Sequence, residues 1–111
     1  MVNVKEYSYP YYSLDAIRQS AQKNNFRYDG RKVNSDIRNL GYTGEDVKNC
    51  IANLTKHQFK KSKHYENSIY DVYIIDYKKT DDTTIDTIYM KLRLLSNGEL
   101  QIAGIGSFHL A

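Results

Sequence analysis

A regular alternation of side chains over Thr87–Leu95 constrains the fold more than any other feature of this sequence. Alternate positions of a strand point to opposite faces of a sheet. One face would carry four apolar residues, Ile88, Met90, Leu92 and Leu94. The other would carry Tyr89, Lys91 and Arg93, which are suited to binding or chemistry. Asn97-Gly98 then predicts a two-residue hairpin that returns the chain as a strand over Glu99–His109.

Further strands are predicted around that hairpin. Asp71–Tyr77 is rich in β-branched and aromatic residues on both faces, which is typical of a central strand. Phe26–Tyr28 alternates and ends at the turn pair Asp29-Gly30, so it predicts a short strand or an extended connector. Gly104 and Gly106 indicate a bulge in the last strand, or a surface kept bare for the close approach of a partner.

Three helices are predicted in the first half of the chain. The first follows Ser13, a typical N-cap residue, and runs to about Lys23. A second is predicted over Asn34–Leu40, because Gly41 suits the left-handed position that ends a helix. The third begins after Thr43 with a capping-box pattern. Its apolar residues recur at helical spacing, at Val47, Cys50, Ile51 and Leu54.

The single cysteine, Cys50, limits the class of protein. It cannot form an internal disulfide or a multi-cysteine metal site, and its place on an apolar helical stripe favours packing over nucleophilic chemistry. No apolar run approaches the roughly 20 residues that span a bilayer. We therefore expect a single domain over residues 1–111, with no membrane association and a cytoplasmic location.

Helices that precede strands indicate an α+β fold, with the N-terminal helices packed on one face of a mainly antiparallel, curved sheet. Residues 1–12 contain four tyrosines around Pro10 and predict an extended arm that docks by its aromatic rings. Lys78–Asp86 is polar and predicts a loop or the frayed ends of a hairpin.

The segment Lys56–His64 is the strongest functional signal, with four lysines, two histidines and no acid in nine residues. Aromatic residues lie among and after these charges, at Phe59, Tyr65, Tyr70 and Tyr73. Cations mixed with aromatic rings are suited to holding phosphates and stacking bases. The net charge is only +3, but a nearly balanced chain can still present one positive face. The alternative is a solvated loop beside a strand.

The sequence also resembles the motility quorum-sensing regulator (MqsR) family of bacterial toxins from about Tyr12 to His109. The similar elements, in order, are Tyr12, Leu14 and Ile17, then Leu40-Gly41, Leu54, Phe59-Lys60-Lys61-Ser62, Asp71-Val72-Tyr73, Tyr89-Met90-Lys91 and Ser107-Phe108. Two features depart from the family pattern: the segment between Ser62 and Asp71 is shorter, and Tyr70 stands where the family has a glutamine.

That resemblance implies a RelE-like fold and a ribonuclease that cuts messenger RNA, blocks translation and growth, and is silenced by a cognate antitoxin protein. It implies no metal and no cofactor. The family's active-site lysine falls on Lys61 and its tyrosine on Tyr89.

Metal-free RNA cleavage requires the ribose 2′-oxygen to attack the adjacent phosphorus, a cation to stabilise the charge that develops, and groups that move protons. Lys61 and Lys91 are suited to the charge, while Tyr89 or Tyr70 can position the phosphate or donate a proton. A histidine side chain is suited to general acid or base catalysis near neutral pH, and His109 is preferred to His64 because the end of a strand is more fixed than a loop. A metal site is not expected, because the three histidines lack ligand spacing.

The predicted catalytic residues are therefore Lys61, Tyr89, Tyr70 and His109. The predicted RNA-binding residues are Lys56, Lys60, Lys63, His64, Tyr73, Lys91 and Arg93. A non-catalytic module that binds RNA or an antitoxin through the same positive face, such as a degenerate toxin, is the alternative function.

Overall fold

The computed structural model describes residues 3–79 and 83–111. The strands of this part of the chain are β1 (Lys5–Tyr7), β2 (Phe26–Tyr28), β3 (Phe59–His64), β4 (Ile69–Tyr77), β5 (Asp86–Asn97) and β6 (Leu100–Leu110). The helices are α1 (Leu14–Gln22), α2 (Arg31–Asn39) and α3 (Gly44–Ala52), and a 3₁₀ turn covers Lys56–Gln58. Part of the polar loop predicted over Lys78–Asp86 lies outside the described residues. Among those residues, no helix is both long enough and apolar enough to cross a membrane.

The described strands form one open sheet in the order β1-β3-β4-β5-β6-β2. β2 pairs with β6 in parallel, and the other neighbouring strands are antiparallel. The predicted α+β architecture is thereby confirmed. The parallel pair was not anticipated, because β2 is short and joins a strand more than seventy residues away in the chain.

All three predicted caps are confirmed, since Gly41 follows the C-cap Leu40 of α2 with a φ of +74°. The Ser13 hydroxyl accepts a hydrogen bond from the Ala16 amide at the start of α1. Thr43 and Asp46 form the reciprocal capping box of α3. The second helix begins at Arg31, three residues earlier than predicted, and it includes Val33, which is buried four residues before Ile37 on the same side of the helix.

The core lies between the helices and one face of the sheet. The predicted inward stripe of α3 is fully buried at Val47, Cys50 and Ile51, and Leu54, two residues beyond the end of the helix, is buried with it. From the sheet it meets side chains that include Tyr73, Ile88, Met90, Leu92, Ile105 and Phe108. The alternation predicted for β5 is confirmed, and it leaves Tyr89, Lys91 and Arg93 on the face that the helices do not cover.

The hairpin between β5 and β6 differs by one residue from the prediction. Asn97 pairs with Leu100, so the two turn residues are Gly98 and Glu99. Gly98 has a φ of +64° whereas Glu99 does not share a positive φ, which fits a turn with glycine at its first central position. The predicted bulge is confirmed: Lys91 pairs with Ser107 and Leu92 with Ile105, so Gly106 is the extra residue.

The described part of the N-terminal arm docks through its backbone as well as its rings. Strand β1 pairs with the edge of β3, with Tyr7 opposite Ser62. The amides of Tyr11 and Tyr12 then donate to the fully buried carboxylate of Asp71, at 3.0 and 2.9 Å. A carboxylate that accepts several amide hydrogen bonds can be buried without a cation, so Asp71 anchors the arm to β4.

Candidate active site

The sheet face opposite the helices, here termed the open face, carries most of the predicted site. Strand register places Lys61, Val72, Lys91 and Ser107 in one row across four strands. Because neighbouring strands lie about 5 Å apart, the backbones of Lys61 and Lys91 are separated by about 10 Å. The two lysines therefore face the same stretch of surface with the small Val72 between them.

Lys91 is held by two aromatic rings of the open face. Its Nζ donates a hydrogen bond to the Tyr65 hydroxyl at 3.0 Å and lies 5.0 Å from the centre of that ring. The same Nζ lies 5.7 Å from the centre of the Tyr70 ring. A cation above aromatic faces is attracted by their quadrupoles, so the position of the Lys91 charge is fixed before any ligand binds.

Asp29 connects three other side chains at the neighbouring end of the face. Its Oδ2 accepts hydrogen bonds from Arg93 Nε at 2.8 Å and from the Tyr70 hydroxyl at 2.9 Å, and its Oδ1 accepts one from Arg27 Nε at 3.1 Å. Burial alone would raise the pKa of Asp29, but the hydrogen bonds from Arg93 and Tyr70 outweigh it and hold the pKa below its ordinary value. Asp29 is thus an ionised carboxylate that orients Arg93.

Tyr70 is protonated, and its hydroxyl donates a hydrogen bond to Asp29. Burial, and next the hydrogen bond to Asp29, raise the pKa of Tyr70 to about 12. Its ring lies beneath the guanidinium of Arg93 at 5.2 Å and packs against Gly106, where a Cβ atom would lie 2.5 Å from Tyr70 Cε1. This geometry suits the positioning of Arg93 and Lys91 better than the donation of a proton to RNA.

Tyr89 and His109 form a stacked pair at the other end of the open face. They are register partners on β5 and β6, and their ring centres lie 4.9 Å apart with 13° between the planes. His109 Nδ1 lies 2.8 Å from the carbonyl oxygen of Leu110. Since a carbonyl only accepts, Nδ1 carries the hydrogen, and the Nε2 of the neutral ring is left with a lone pair that can take a proton.

Glu6 of β1 places a carboxylate against the basic residues of β3. Its Oε2 lies 3.2 Å from Lys61 Nζ and 3.9 Å from Lys63 Nζ. The Lys61 and Glu6 side chains are 40% and 48% exposed, so this ion pair is worth little in free energy. An anionic group of a ligand can therefore replace Glu6 at Lys61 at small cost.

Six of the predicted site residues share the open face with Lys61: Lys63, Tyr70, Tyr89, Lys91, Arg93 and His109. Lys56 lies in the 3₁₀ turn before β3 and Lys60 is the second residue of β3; both are exposed and lie outside this arrangement. His64 lies on the other side of β3, with its ring 4.4 Å from that of Tyr7. The prediction that Tyr73 contacts RNA is wrong, because its side chain is 1% exposed in the core.

Several residues of the site were not predicted from the sequence. Asp29 has the pattern of a turn residue, and its role depends on the parallel pairing of β2 with β6. Glu6 reaches Lys61 only because β1 joins the edge of the sheet. Tyr65 was visible as an aromatic residue after the basic segment, but no pattern linked it to Lys91. Within residues 3–79 and 83–111, no three His, Cys, Asp or Glu side chains are grouped so that they could hold a metal ion.

Comparison with protein families matches residues 9–109 to one family, described as motility quorum-sensing regulator, toxin of MqsA. The match covers most of the chain and includes every residue of the open face named above except Glu6. No curated protein matches the sequence.

Proposed function

This chain belongs to the motility quorum-sensing regulator (MqsR) family, the toxins of toxin–antitoxin systems, and on that premise we propose that it is an endoribonuclease that cleaves messenger RNA without a metal ion. Cleavage of messenger RNA would block translation and growth. The observation that carries the proposal is the row of Lys61 and Lys91 across the open face, flanked by the Tyr89–His109 pair.

The two lysines are assigned to the scissile phosphate. Negative charge grows on the phosphoryl oxygens as the ribose 2′-oxygen attacks, and fixed cations at that point lower the barrier. Lys91 is pre-positioned by Tyr65 and Tyr70, and Lys61 becomes available when the phosphate displaces Glu6. Arg93, held by Asp29, is assigned to an adjoining phosphate or base.

The Tyr89–His109 pair is assigned to proton transfer. His109 Nε2 takes the proton of the 2′-hydroxyl as the bond from the 2′-oxygen to phosphorus forms. The bond from phosphorus to the 5′-oxygen breaks, and that oxygen takes a proton from the Tyr89 hydroxyl. The products are a 2′,3′-cyclic phosphate and a 5′-hydroxyl. The His109 imidazolium then releases its proton to solvent and the Tyr89 oxygen takes one from solvent, so both groups are restored and no oxidant or added reactant is needed.

The partner implied by the family is a cognate antitoxin that silences the protein. The alternative function, a module that binds RNA or the antitoxin without cutting, uses the same positive face. The stacked Tyr89–His109 pair favours the enzyme, because a surface that only binds phosphates has no need of a histidine held in one tautomer.

Purified protein incubated with single-stranded RNA in EDTA tests the proposal. We expect cleavage that leaves 2′,3′-cyclic phosphate ends, detected by mass spectrometry, and no cleavage at a nucleotide that carries 2′-deoxyribose. A Lys61→Ala preparation, purified in parallel, controls for contaminating nucleases. If the wild-type protein binds RNA without cutting it, and its expression leaves growth unchanged, the binding module is the correct function.

A further inference from the structure

A pocket of about 380 Å³ lies where the N-terminal arm meets the hairpin between β3 and β4. Its lining includes Tyr11, Tyr12, His64, Tyr65, Asn67 and Arg93. Of its lining residues, the steps above use only Tyr65, which positions Lys91, and Arg93. We propose that it binds one unstacked base of the single-stranded RNA, on the nucleotide next to the phosphate that Lys91 holds. This inference rests on the ribonuclease function proposed above.

The aromatic wall of the pocket is arranged before RNA binds. Tyr11 is 58% exposed, and its ring meets the Tyr12 ring edge to face, with centres 4.8 Å apart at 80°. It meets the His64 ring in the same way, at 5.5 Å and 89°. The Tyr12 hydroxyl donates to the carbonyl of Ile69 at 2.8 Å, which fixes that ring. An exposed ring supported by fixed neighbours is a stacking platform for a base.

The anchor of this wall is unusually firm for an N-terminal segment. Both Tyr11 and Tyr12 donate their backbone amides to the buried carboxylate of Asp71. These bonds hold the arm to β4 without using the Tyr11 side chain. The Tyr11 side chain is therefore exposed although its backbone is held in place.

The hairpin loop supplies polar groups at the rim of the pocket. Glu66, Asn67 and Ser68 line it with a carboxylate, an amide and a hydroxyl. An amide both donates and accepts hydrogen bonds, so Asn67 can read the edge of a base whose face rests on Tyr11. Stacking combined with hydrogen bonds to base edges is how proteins recognise unpaired RNA.

Two residues join the pocket to the open face. Tyr65 lines the pocket while its hydroxyl accepts the hydrogen bond from Lys91. Arg93 also lines the pocket while Asp29 holds its Nε. Residues two apart on a strand are separated by about 7 Å, so Arg93 stands beside Lys91 at the mouth of the pocket. A nucleotide whose phosphate reaches Lys91 can place a neighbouring base on the aromatic wall.

Binding of an RNA that cannot be cleaved tests the inference independently of catalysis. The probe is a fluorescent single-stranded oligoribonucleotide of mixed sequence with 2′-O-methyl riboses, titrated with wild type, Tyr11→Leu and Tyr11→Phe. We expect Tyr11→Leu to weaken binding at least about fivefold, the lower range for a lost base stack, while Tyr11→Phe keeps the wild-type affinity. Tyr9→Leu is the matched control, because Tyr9 is a similarly exposed tyrosine of the same arm, at 62%, that does not line the pocket.

A scan with abasic nucleotides locates the base. One abasic position should weaken binding to wild type and leave binding to Tyr11→Leu unchanged. If Tyr11→Leu, folded as judged by its melting curve, binds RNA as tightly as wild type, the subsite does not exist. If it keeps RNA affinity and loses affinity for the antitoxin, the pocket is a protein contact and the inference is wrong. Absence of RNA cleavage by wild type would refute the ribonuclease alone, because this measurement needs no cleavage.

Discussion

Asp29 and Arg93, 64 residues apart in the chain, form an ion pair of 2.8 Å that passes over β6 at Gly104. Gly104 is the register neighbour of both Arg27 and Arg93. A Cβ atom there would lie 2.8 Å from Asp29 Oδ2 and 3.0 Å from Arg93 Cγ. Because Gly104 has no side chain, the Asp29 carboxylate at the end of β2 can reach Arg93 on the open face.

Asp29→Asn should lower the free energy of unfolding by about 2 kcal/mol at pH 7, because Arg93 and Tyr70 lose a charged acceptor. The pKa of Asp29 is depressed in the folded protein, so its stabilisation is fully present above the ordinary carboxyl pKa of about 4. It is lost as the pH falls through the lower folded-state value. Urea unfolding at several pH values should show the difference between wild type and variant shrinking below about pH 4.

Asp36→Asn is the control for that experiment. Asp36, which is partly exposed, pairs with the exposed Lys32 one helical turn away on α2. A surface pair of this kind contributes at most about 0.5 kcal/mol. If Asp36→Asn lowered the free energy of unfolding as much as Asp29→Asn does, the hydrogen bonds of Asp29 would contribute no more than a surface ion pair.

Lys61→Ala should reduce RNA cleavage by about 100-fold or more, since it removes a cation from the developing charge. Lys60→Ala should retain most of the rate. Lys60 carries the same charge but lies at the register irregularity between Phe59 and Lys61, outside the row that faces Lys91. Single-turnover cleavage of one RNA by both variants gives the comparison, and equal losses would show that only net positive charge matters.

His109→Gln should lower the turnover of RNA by about 100-fold with little change in binding, because it removes a proton acceptor and keeps a polar side chain of similar reach. His57→Gln, in the exposed 3₁₀ turn, is the matched change and should leave turnover intact. Steady-state kinetics, which give kcat and KM separately, distinguish a loss of turnover from a loss of RNA binding. A fully active His109→Gln variant would remove the histidine from the mechanism.

Gly106→Ala should destabilise the protein by about 1–3 kcal/mol, because the added methyl group forces the Tyr70 ring away from Asp29. The same substitution at Gly44, where nothing lies within 4 Å of the added atom, should be neutral or stabilising. Thermal unfolding measures both. In a Tyr70→Leu background Gly106→Ala should cost less, and simple additivity would argue against the ring contact.

Much of the architecture followed from local patterns. The caps at Ser13 and Thr43, the inward stripe of α3 and the alternation of β5 depend on residues within a few positions of one another. These patterns also placed Tyr89, Lys91 and Arg93 on the uncovered face. The motifs of the family resemblance identified Lys61 and Tyr89 as candidates for the site.

The sequence by itself determined the three helices, the strands β4, β5 and β6, and the apolar side of β5, because side-chain periodicity is a local property. Strands β1 and β3 depend on pairing with each other and with β4. Only the tertiary structure decided that Asp29 orients Arg93, that Glu6 meets Lys61, and that Tyr73 belongs to the core. Strand order and register bring together residues whose separation in the chain carries no local signal. Each residue of the open face can be found in the sequence, but only the pairing of the strands makes these residues neighbours.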